Sequence, residues 1–268
     1  MCRVSVVMSV YNGERFLREA IESILAQRFR DFEFVVVDDG STDSTPEILS
    51  SYGDLLRVHT QPNQGMSRAL NAGLALARGT DIARMDGDDV AEPTRLEKQV
   101  SYLDAHQDIG LLGTAYTEID EQGRILRTVK TPTEDLELRR TLAKFNPFMH
   151  ASVMFRKGLC ERSGLYNEDE LFRYFQDYEM WVRMAQHTQM ATLNDVLMRR
   201  RVHRHALSSQ QDNNRLRCNI RVRAQAIRAF DLPLWYWWYV LLPALALAFP
   251  PSVRTFFRRL RYHGQTYR

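Results

Sequence analysis

Apolar residues recur with two different periods over the first ninety positions, and the two periods take turns. Arg3-Val-Ser-Val-Val-Met-Ser9 and Phe32-Glu-Phe-Val-Val-Val-Asp38 are strand-like runs. The second is almost unbroken in β-branched and aromatic residues, as in a strand covered on both faces. Between them Phe16, Leu17, Ala20, Ile21, Ile24 and Leu25 repeat at helical spacing with charges opposite. The alternation continues with a helix near Thr45–Ser51, a strand near Leu56–His59, a helix near Met66–Ala77 and a strand near Ile82–Met85. Repeated strand-helix-strand units predict a mostly parallel sheet in a three-layer α/β sandwich. After residue 90 the rhythm loosens. Thr94–His106, Asp135–Phe145, Tyr178–His187 and Gln210–Phe230 are expected as helices, the last with Leu216, Ile220, Ala224 and Ile227 on one stripe. Ile109–Thr114 and Arg124–Val129 are expected as strands around the turn at 120–123. With no repeat and no low-complexity linker, one domain over 1–205 and a C-terminal appendage over 206–268 is the economical organisation.

Composition adds little to that picture and charge adds more. At 268 residues, 44% hydrophobic and 26% charged, the chain can bury a core without a disulfide or a metal. Cys2, Cys160 and Cys218 form no Cys-x-x-Cys pair, which favours a reducing compartment. Met1-Cys2-Arg3 leads directly into a strand, so no secretory signal is expected. The net charge of +3 is unevenly spread. Residues 199–268 hold fourteen arginines and no lysine against Asp212 and Asp231, a balance of +12, which leaves −9 on the first 198 residues. A basic tail on an acidic body either meets an anionic partner or forms a solvated helix face.

Ligands of parallel sheets sit beyond the carboxyl ends of the strands. Three such ends are polar here: Ser9-Val-Tyr-Asn-Gly13, Asp38-Asp-Gly-Ser-Thr-Asp43 and Asp86-Gly-Asp-Asp89. Asp-Gly pairs are ordinary turn formers, but three at one edge are more than turns require. In Asp86-Gly87-Asp88 two carboxylates one residue apart can face one side, with a glycine between them that allows close approach. Such oxygens suit Mg²⁺ or Mn²⁺ completed by a substrate diphosphate. The segment lacks the twelve-residue ligand pattern of a calcium loop. A metal on a diphosphate stabilises a leaving group, which points to transfer from a nucleotide-activated donor. The incoming hydroxyl then needs a base. Asp177, in Tyr174-Phe-Gln-Asp-Tyr-Glu-Met-Trp181, is the candidate, with helix capping as its other reading. Apolar neighbours would raise its pKa and the helix N-terminus lower it.

Val6-Val-Met-Ser-Val-Tyr-Asn-Gly13, Phe34–Asp43, Asn63-Gln-Gly-Met-Ser-Arg-Ala-Leu-Asn71, Asp86-Gly-Asp-Asp89 and Gln176-Asp-Tyr-Glu-Met-Trp181 follow one another in order. Together they resemble glycosyltransferase family 2, the inverting, metal-dependent sugar transferases of the GT-A fold, over roughly residues 3–205. The resemblance implies a nucleotide-binding half over 1–90 and an acceptor-side half over 91–205. It implies nucleotide contacts from Ser9, Tyr11, Asp39, Arg68 and Asp86, and a metal on Asp88. It implies Asp177 as the base, although Gln176 stands where the family has Glu. Arg200-Arg-Val-His203 resembles a Tyr-Arg-x-His stretch near the diphosphate, with Arg200 in the place of Tyr and Arg201 matching the Arg. His203 is expected at the metal or phosphate, or else as a surface histidine. His150 and Trp181 are expected on the acceptor side, His150 equally as a structural histidine.

Between Asp231 and Arg254 lie 22 uncharged residues rich in Trp and Tyr. A straight helix of that length reaches about 33 Å, enough for a bilayer core of about 30 Å, but Pro243 and Pro250-Pro251 interrupt it. An in-plane attachment through residues 232–261 is therefore expected, with Arg254, Arg258, Arg259 and Arg261 toward anionic headgroups. The expected location is the cytoplasmic face of a bacterial inner membrane, peripheral or monotopic. The family's processive synthases carry Gln-x-x-Arg-Trp. Gln225-Ala-Ile-Arg-Ala229 lacks the Trp, which favours transfer of a single sugar.

These readings converge on an enzyme that moves one sugar from a nucleotide sugar, expected to be UDP-linked, to a hydroxyl of a glycan or lipid-linked acceptor in cell-surface polysaccharide synthesis. The alternative is a non-catalytic nucleotide-sugar-binding scaffold at the membrane. A dehydrogenase would need Gly-x-Gly-x-x-Gly after the first strand, which Tyr11-Asn12-Gly13 does not supply, and no nucleic-acid partner is expected.

Overall fold

The computed structural model describes residues 2–203 and 213–247. The first part contains β1 (Val4–Val10), α1 (Leu17–Leu25), β2 (Phe32–Asp38), α2 (Thr45–Ser50), β3 (Arg57–Thr60), α3 (Met66–Leu76) and β4 (Asp81–Asp86). β5 (Val90–Ala91), α4 (Arg95–Ala105), β6 (Ile109–Ile119), β7 (Ile125–Val129) and α5 (Asp135–Leu142) follow. The chain continues through β8 (Met154–Arg156), α6 (Leu159–Ser163), α7 (Gln176–Met184), β9 (Gln189–Arg201), α8 (Asn213–Ala229) and α9 (Trp238–Leu247).

The strands form one mixed sheet in the order β3-β2-β1-β4-β8-β6-β9-β5, with β7 paired to the far end of β6. β3, β2, β1 and β4 are mutually parallel, and β6 is parallel to β9. The short β8 is antiparallel to both β4 and β6, so β9 runs in the same sense as β1. The carboxyl ends of β1, β2, β4 and β9 therefore share an edge. The expected α/β sandwich is present, with more antiparallel pairing than the first ninety residues suggest. β9, thirteen residues long, and the two short strands β5 and β8 are additions to the expected elements.

Strand alternation divides the apolar side chains between two cores. Val4, Val6, Met8 and Val10 of β1 point to the core built with Leu17, Ile21 and Ile24 of α1, Ile48 of α2 and Leu96 and Leu103 of α4. Val7 points to the other, with Leu70 and Leu74 of α3 and Trp181 and Met184 of α7. Full burial of each Leu or Ile contributes about 1.5–3 kcal/mol. Gly73 lets α3 lie against the sheet, since a Cβ there would stand 2.6 Å from Val7 Cγ1.

α8 buries Cys218, Val222, Ala226 and Ile227 in this same second core. One face of α8 is thus part of that core. α9 packs on α8. Pro243 lies inside α9 and has no N–H for the carbonyl of Tyr239, four residues earlier. Arg223 Nη1 donates to that carbonyl at 3.0 Å. The outward side of this region carries Leu234, Trp238, Leu241, Leu242 and Leu245, all exposed and at helical spacing. Among the described residues no helix is long and apolar enough to cross a membrane. Arg254, Arg258, Arg259 and Arg261 lie outside the described residues.

Candidate active site

Register places the polar strand ends side by side. Ser9 of β1 is level with Val37 of β2 and Asp86 of β4, and Val10 with Asp38. Asn12, in the left-handed region at φ 51°, turns the chain after β1. Its Oδ1 accepts from the Thr42 amide at 2.8 Å, while its own amide donates to Ser41 Oγ. Gly13 N donates to Thr45 Oγ1 and Glu14 N to Asp43 Oδ2, so the loops after β1 and β2 are stitched into one rim. Tyr11 projects from it, half exposed.

Asp39 is buried beneath this rim. Its Oδ1 accepts from Gln61 Nε2 at 2.8 Å and Gln64 N at 3.0 Å, and its Oδ2 from Gly65 N at 2.8 Å. It thereby fixes the loop that opens α3. A carboxylate has about four acceptor positions, of which these three donors take three. Arg68, on the first turn of α3, is exposed and pairs with Glu168 at 3.2 Å.

The Asp86–Asp89 turn is held from two sides. Arg84 Nη2 donates to Asp86 Oδ1 at 2.5 Å. Burial alone would raise the Asp86 pKa, but the Arg84 guanidinium reverses this and holds it below the ordinary value. From β9, Arg201 N donates to Asp89 Oδ1 and Arg201 Nε to the Asp88 carbonyl. Arg201 matches the Arg of the stretch that the resemblance puts near a diphosphate. It is 4% exposed, its guanidinium 4.6 Å from the Phe16 ring and bonded to Glu19, Asp120 O and Glu121 O. These contacts immobilise it within the fold. Arg200, whose Nη1 lies 3.2 Å from Glu118, is close enough to Asp86 and Asp89 to favour their charged forms. Asp89 is nevertheless pushed well up, by burial first and then by Asp88 and Asp86.

His203, at the exit of β9, comes within 2.8 Å of Asp88 Oδ2 through Nε2, across 115 positions of sequence. A carboxylate oxygen and an imidazole nitrogen meeting at one point suit Mn²⁺ or Mg²⁺ completed by substrate phosphates. Asp86, neutralised by Arg84, leaves Asp88 and His203 as the fitting pair. Among the described residues no group of three or more His, Cys, Asp or Glu side chains could hold a metal unaided.

Asp177 stands on the first turn of α7, not at its cap, which is Phe175 and has no side-chain bond. Its Oδ2 accepts from Asn146 Nδ2 at 2.8 Å. Its pKa is pushed up to about 6, chiefly by burial and also by Asp86, against the lowering effect of the Tyr178 amide and Asn146. Burial thus outweighs the helix N-terminus, and Asp86 and Asp177 sense each other's charge. Gln176 is buried, its Nε2 2.9 Å from Met66 Sδ on α3. His150 is half-buried and Tyr166 buried beside it. Trp181, expected on the acceptor side, is 0% exposed and lies behind both rings, at 6.0 Å and 6.4 Å between centroids. It is a wall of the core, because the second turn of α7 faces inward. Arg84 and Tyr166 had no signal in the sequence, since an Arg inside an apolar strand gives no hint that it is buried.

The model of the family described as glycosyl transferase family 2 matches residues 5–164. EpsE of Bacillus subtilis is 32% identical over 273 residues, covering 98% of this chain and 95% of that protein. The amylovoran biosynthesis glycosyltransferase AmsE of Erwinia amylovora is 33% identical over 225 residues, covering 81% and 83%. Among solved structures, residues 1–349 of S. aureus TarS with UDP-GlcNAc superpose with a TM-score of 0.66 at 21% identity, covering 84% of this chain and 66% of that one. The mannosyltransferase PcManGT of Pyrobaculum calidifontis with GDP-Man and Mn²⁺ gives 0.66 at 20% identity, covering 100% and 81%. Both share the fold.

Proposed function

The chain belongs to glycosyl transferase family 2, and on that footing we propose that it moves a single sugar, with inversion, from a nucleotide sugar to a hydroxyl of a glycan or lipid-linked acceptor. A UDP-linked hexose or N-acetylhexosamine is the proposed donor, and assembly of a cell-surface polysaccharide the proposed setting, as the name of AmsE suggests for that relative. The observation that carries the reading is the meeting of Asp88 with His203 on the sheet edge that also presents Asp86, within electrostatic reach of Asp177.

Ser9, Tyr11, Asp39 and Arg68 surround the proposed nucleotide position. Asp88 and His203 would hold Mn²⁺ or Mg²⁺, which when bound supplies positive charge to the departing diphosphate. Arg200 adds a fixed positive charge near the same turn. Asp177 takes the proton of the acceptor hydroxyl, and that oxygen bonds to the anomeric carbon. The bond from that carbon to the diphosphate oxygen breaks on the opposite side, leaving the electron pair on the diphosphate and the proton on Asp177. A pKa near 6 leaves Asp177 ionised at neutral pH and still basic enough to accept a proton. His150 belongs to the acceptor wall, with Trp181 supporting it from behind.

The exposed stripe Leu234, Trp238, Leu241, Leu242 and Leu245 supports peripheral attachment to the cytoplasmic face of a membrane, where a lipid-linked acceptor would be presented. Calorimetry with a panel of UDP- and GDP-sugars, with and without Mn²⁺, tests the donor reading. One sugar nucleotide should bind in a metal-dependent way, and Asp88→Ala should abolish the metal-dependent part. Absence of metal-dependent binding across the panel would overturn it.

A further inference from the structure

Arg84 is a fully buried cation in the middle of β4, where alternation places Ile82, Arg84 and Asp86 on one face of the sheet. A guanidinium in such a place must find acceptors for its donors. Nη2 takes Asp86 Oδ1 at 2.5 Å, Nη1 approaches the Val7 carbonyl at 3.4 Å, and Nε faces His150 Nε2 at 3.2 Å. The Tyr166 hydroxyl lies 2.9 Å from the same imidazole nitrogen. We propose that Arg84 is a positioning residue that locks the donor-side carboxylate of Asp86 and the acceptor-side ring of His150 into one hydrogen-bonded unit.

The chemistry of the pair leaves a single arrangement. Arginine has donors only and does not lose its proton in proteins. Nε2 is therefore unprotonated, and its one in-plane lone pair is shared between Arg84 Nε–H and the Tyr166 hydroxyl. The ring proton of His150 is then on Nδ1. Trp181 and Tyr166 stand edge-on to the ring at 6.0 Å and 5.6 Å and oppose its rotation. Burial first, and then the Arg84 charge, hold the imidazole pKa down near 3 against the pull of Asp86. His150 thus stays neutral and of one tautomer, a fixed shape against Tyr166 and Trp181 rather than a second base. A lysine could reach Asp86 as a point charge, but has no planar fork to serve two partners in different directions.

The assignment of donor and acceptor sides rests on the proposed function, whereas the locked tautomer does not, and two measurements separate them. Nitrogen-15 NMR of the imidazoles in the full chain without ligands should show His150 as a neutral Nδ1–H ring between about pH 5 and 8. Arg84→Lys should lose that single tautomer while keeping the thermal transition. In parallel, calorimetry with UDP and Mn²⁺ is run on Arg84→Lys, His150→Phe and the double variant. Each single change should weaken binding about tenfold, as loss of an outer support does, and the double should be no weaker than the weaker single, because the two act as one unit. A wild-type ring protonated on Nε2, or His150→Phe binding as tightly as wild type, would overturn the proposal. If the wild type fails to bind UDP with Mn²⁺, the donor reading falls and the NMR spectrum alone decides the lock. The wild-type spectrum also decides it if Arg84→Lys does not fold.

Discussion

Asp177→Asn should make the protein more stable and nearly inactive. The raised pKa of about 6 against an ordinary 3.8 means that the folded state resists ionisation of this carboxyl. Above about pH 6 the group is charged in both states, and the folded state bears the penalty. Two units at 1.36 kcal/mol each give an upper bound of about 3 kcal/mol, and partial exposure of the side chain reduces this to about 1–2 kcal/mol. Asn keeps the shape and can still accept from Asn146 Nδ2, so the penalty is removed without a cavity. The gain should raise Tm by about 2–8 °C at pH 7.5 for a domain of this size. It should shrink as pH falls below about 6 and vanish below about 4, where wild-type Asp177 is neutral in both states. Turnover of the donor should fall by about 10²–10⁴, and the wild-type rate should rise with pH through about 6 as the base ionises. Differential scanning fluorimetry across pH, beside a nucleotide-release assay, reads both effects. A variant that is less stable at pH 7.5, or as active as wild type, would refute the reasoning.

Arg201→Met should lower stability by about 2–4 kcal/mol, because it strands the carbonyls of Asp88, Asp120 and Glu121; an unchanged chemical-denaturation midpoint would contradict this. Gly73→Ala should cost about 1–3 kcal/mol by overpacking Val7, and Val7→Ala in the same chain should recover part of the loss, measured by urea unfolding. Leu241→Glu with Leu245→Glu should leave the melting temperature within about 1 °C, since both side chains are exposed, and should abolish co-sedimentation with vesicles containing anionic lipid.

The first half of the sheet was legible because its strands are covered on both sides and its helices carry one apolar stripe. β9 was not, since its burial alternates irregularly through Asn194 and Asp195, and its pairing with β6 shifts register beside Thr114. β8 is three residues long, too short for any period to register. At the site, the acids of β4 and α7 could be picked out as types, whereas the pKa of Asp177 depends on burial and on Asn146 and Asp86, remote in sequence. The meeting of Asp88 with His203 followed only from the family resemblance, because two residues 115 positions apart carry no local sign of contact. Arg201 matched a motif by letter, yet its guanidinium turned inward, a matter of side-chain direction that residue spacing does not encode.

The knot around Arg201 has a mechanical corollary. One guanidinium ties the acidic turn to the first helix through Glu19 and to the hairpin corner at Asp120 and Glu121, so three stretches of chain hold that turn still. On the opposite wall Asn146 and Tyr166 come from loops and His150 from a single 3-10 turn, which is bound to β4 through the Arg84 side chain and through the Arg84 amide, donating to the Val153 carbonyl at 2.9 Å. Because all three ties of Arg201 pass through one side chain, loss of that side chain would free them together, whereas loss of any one partner would leave the other two in place.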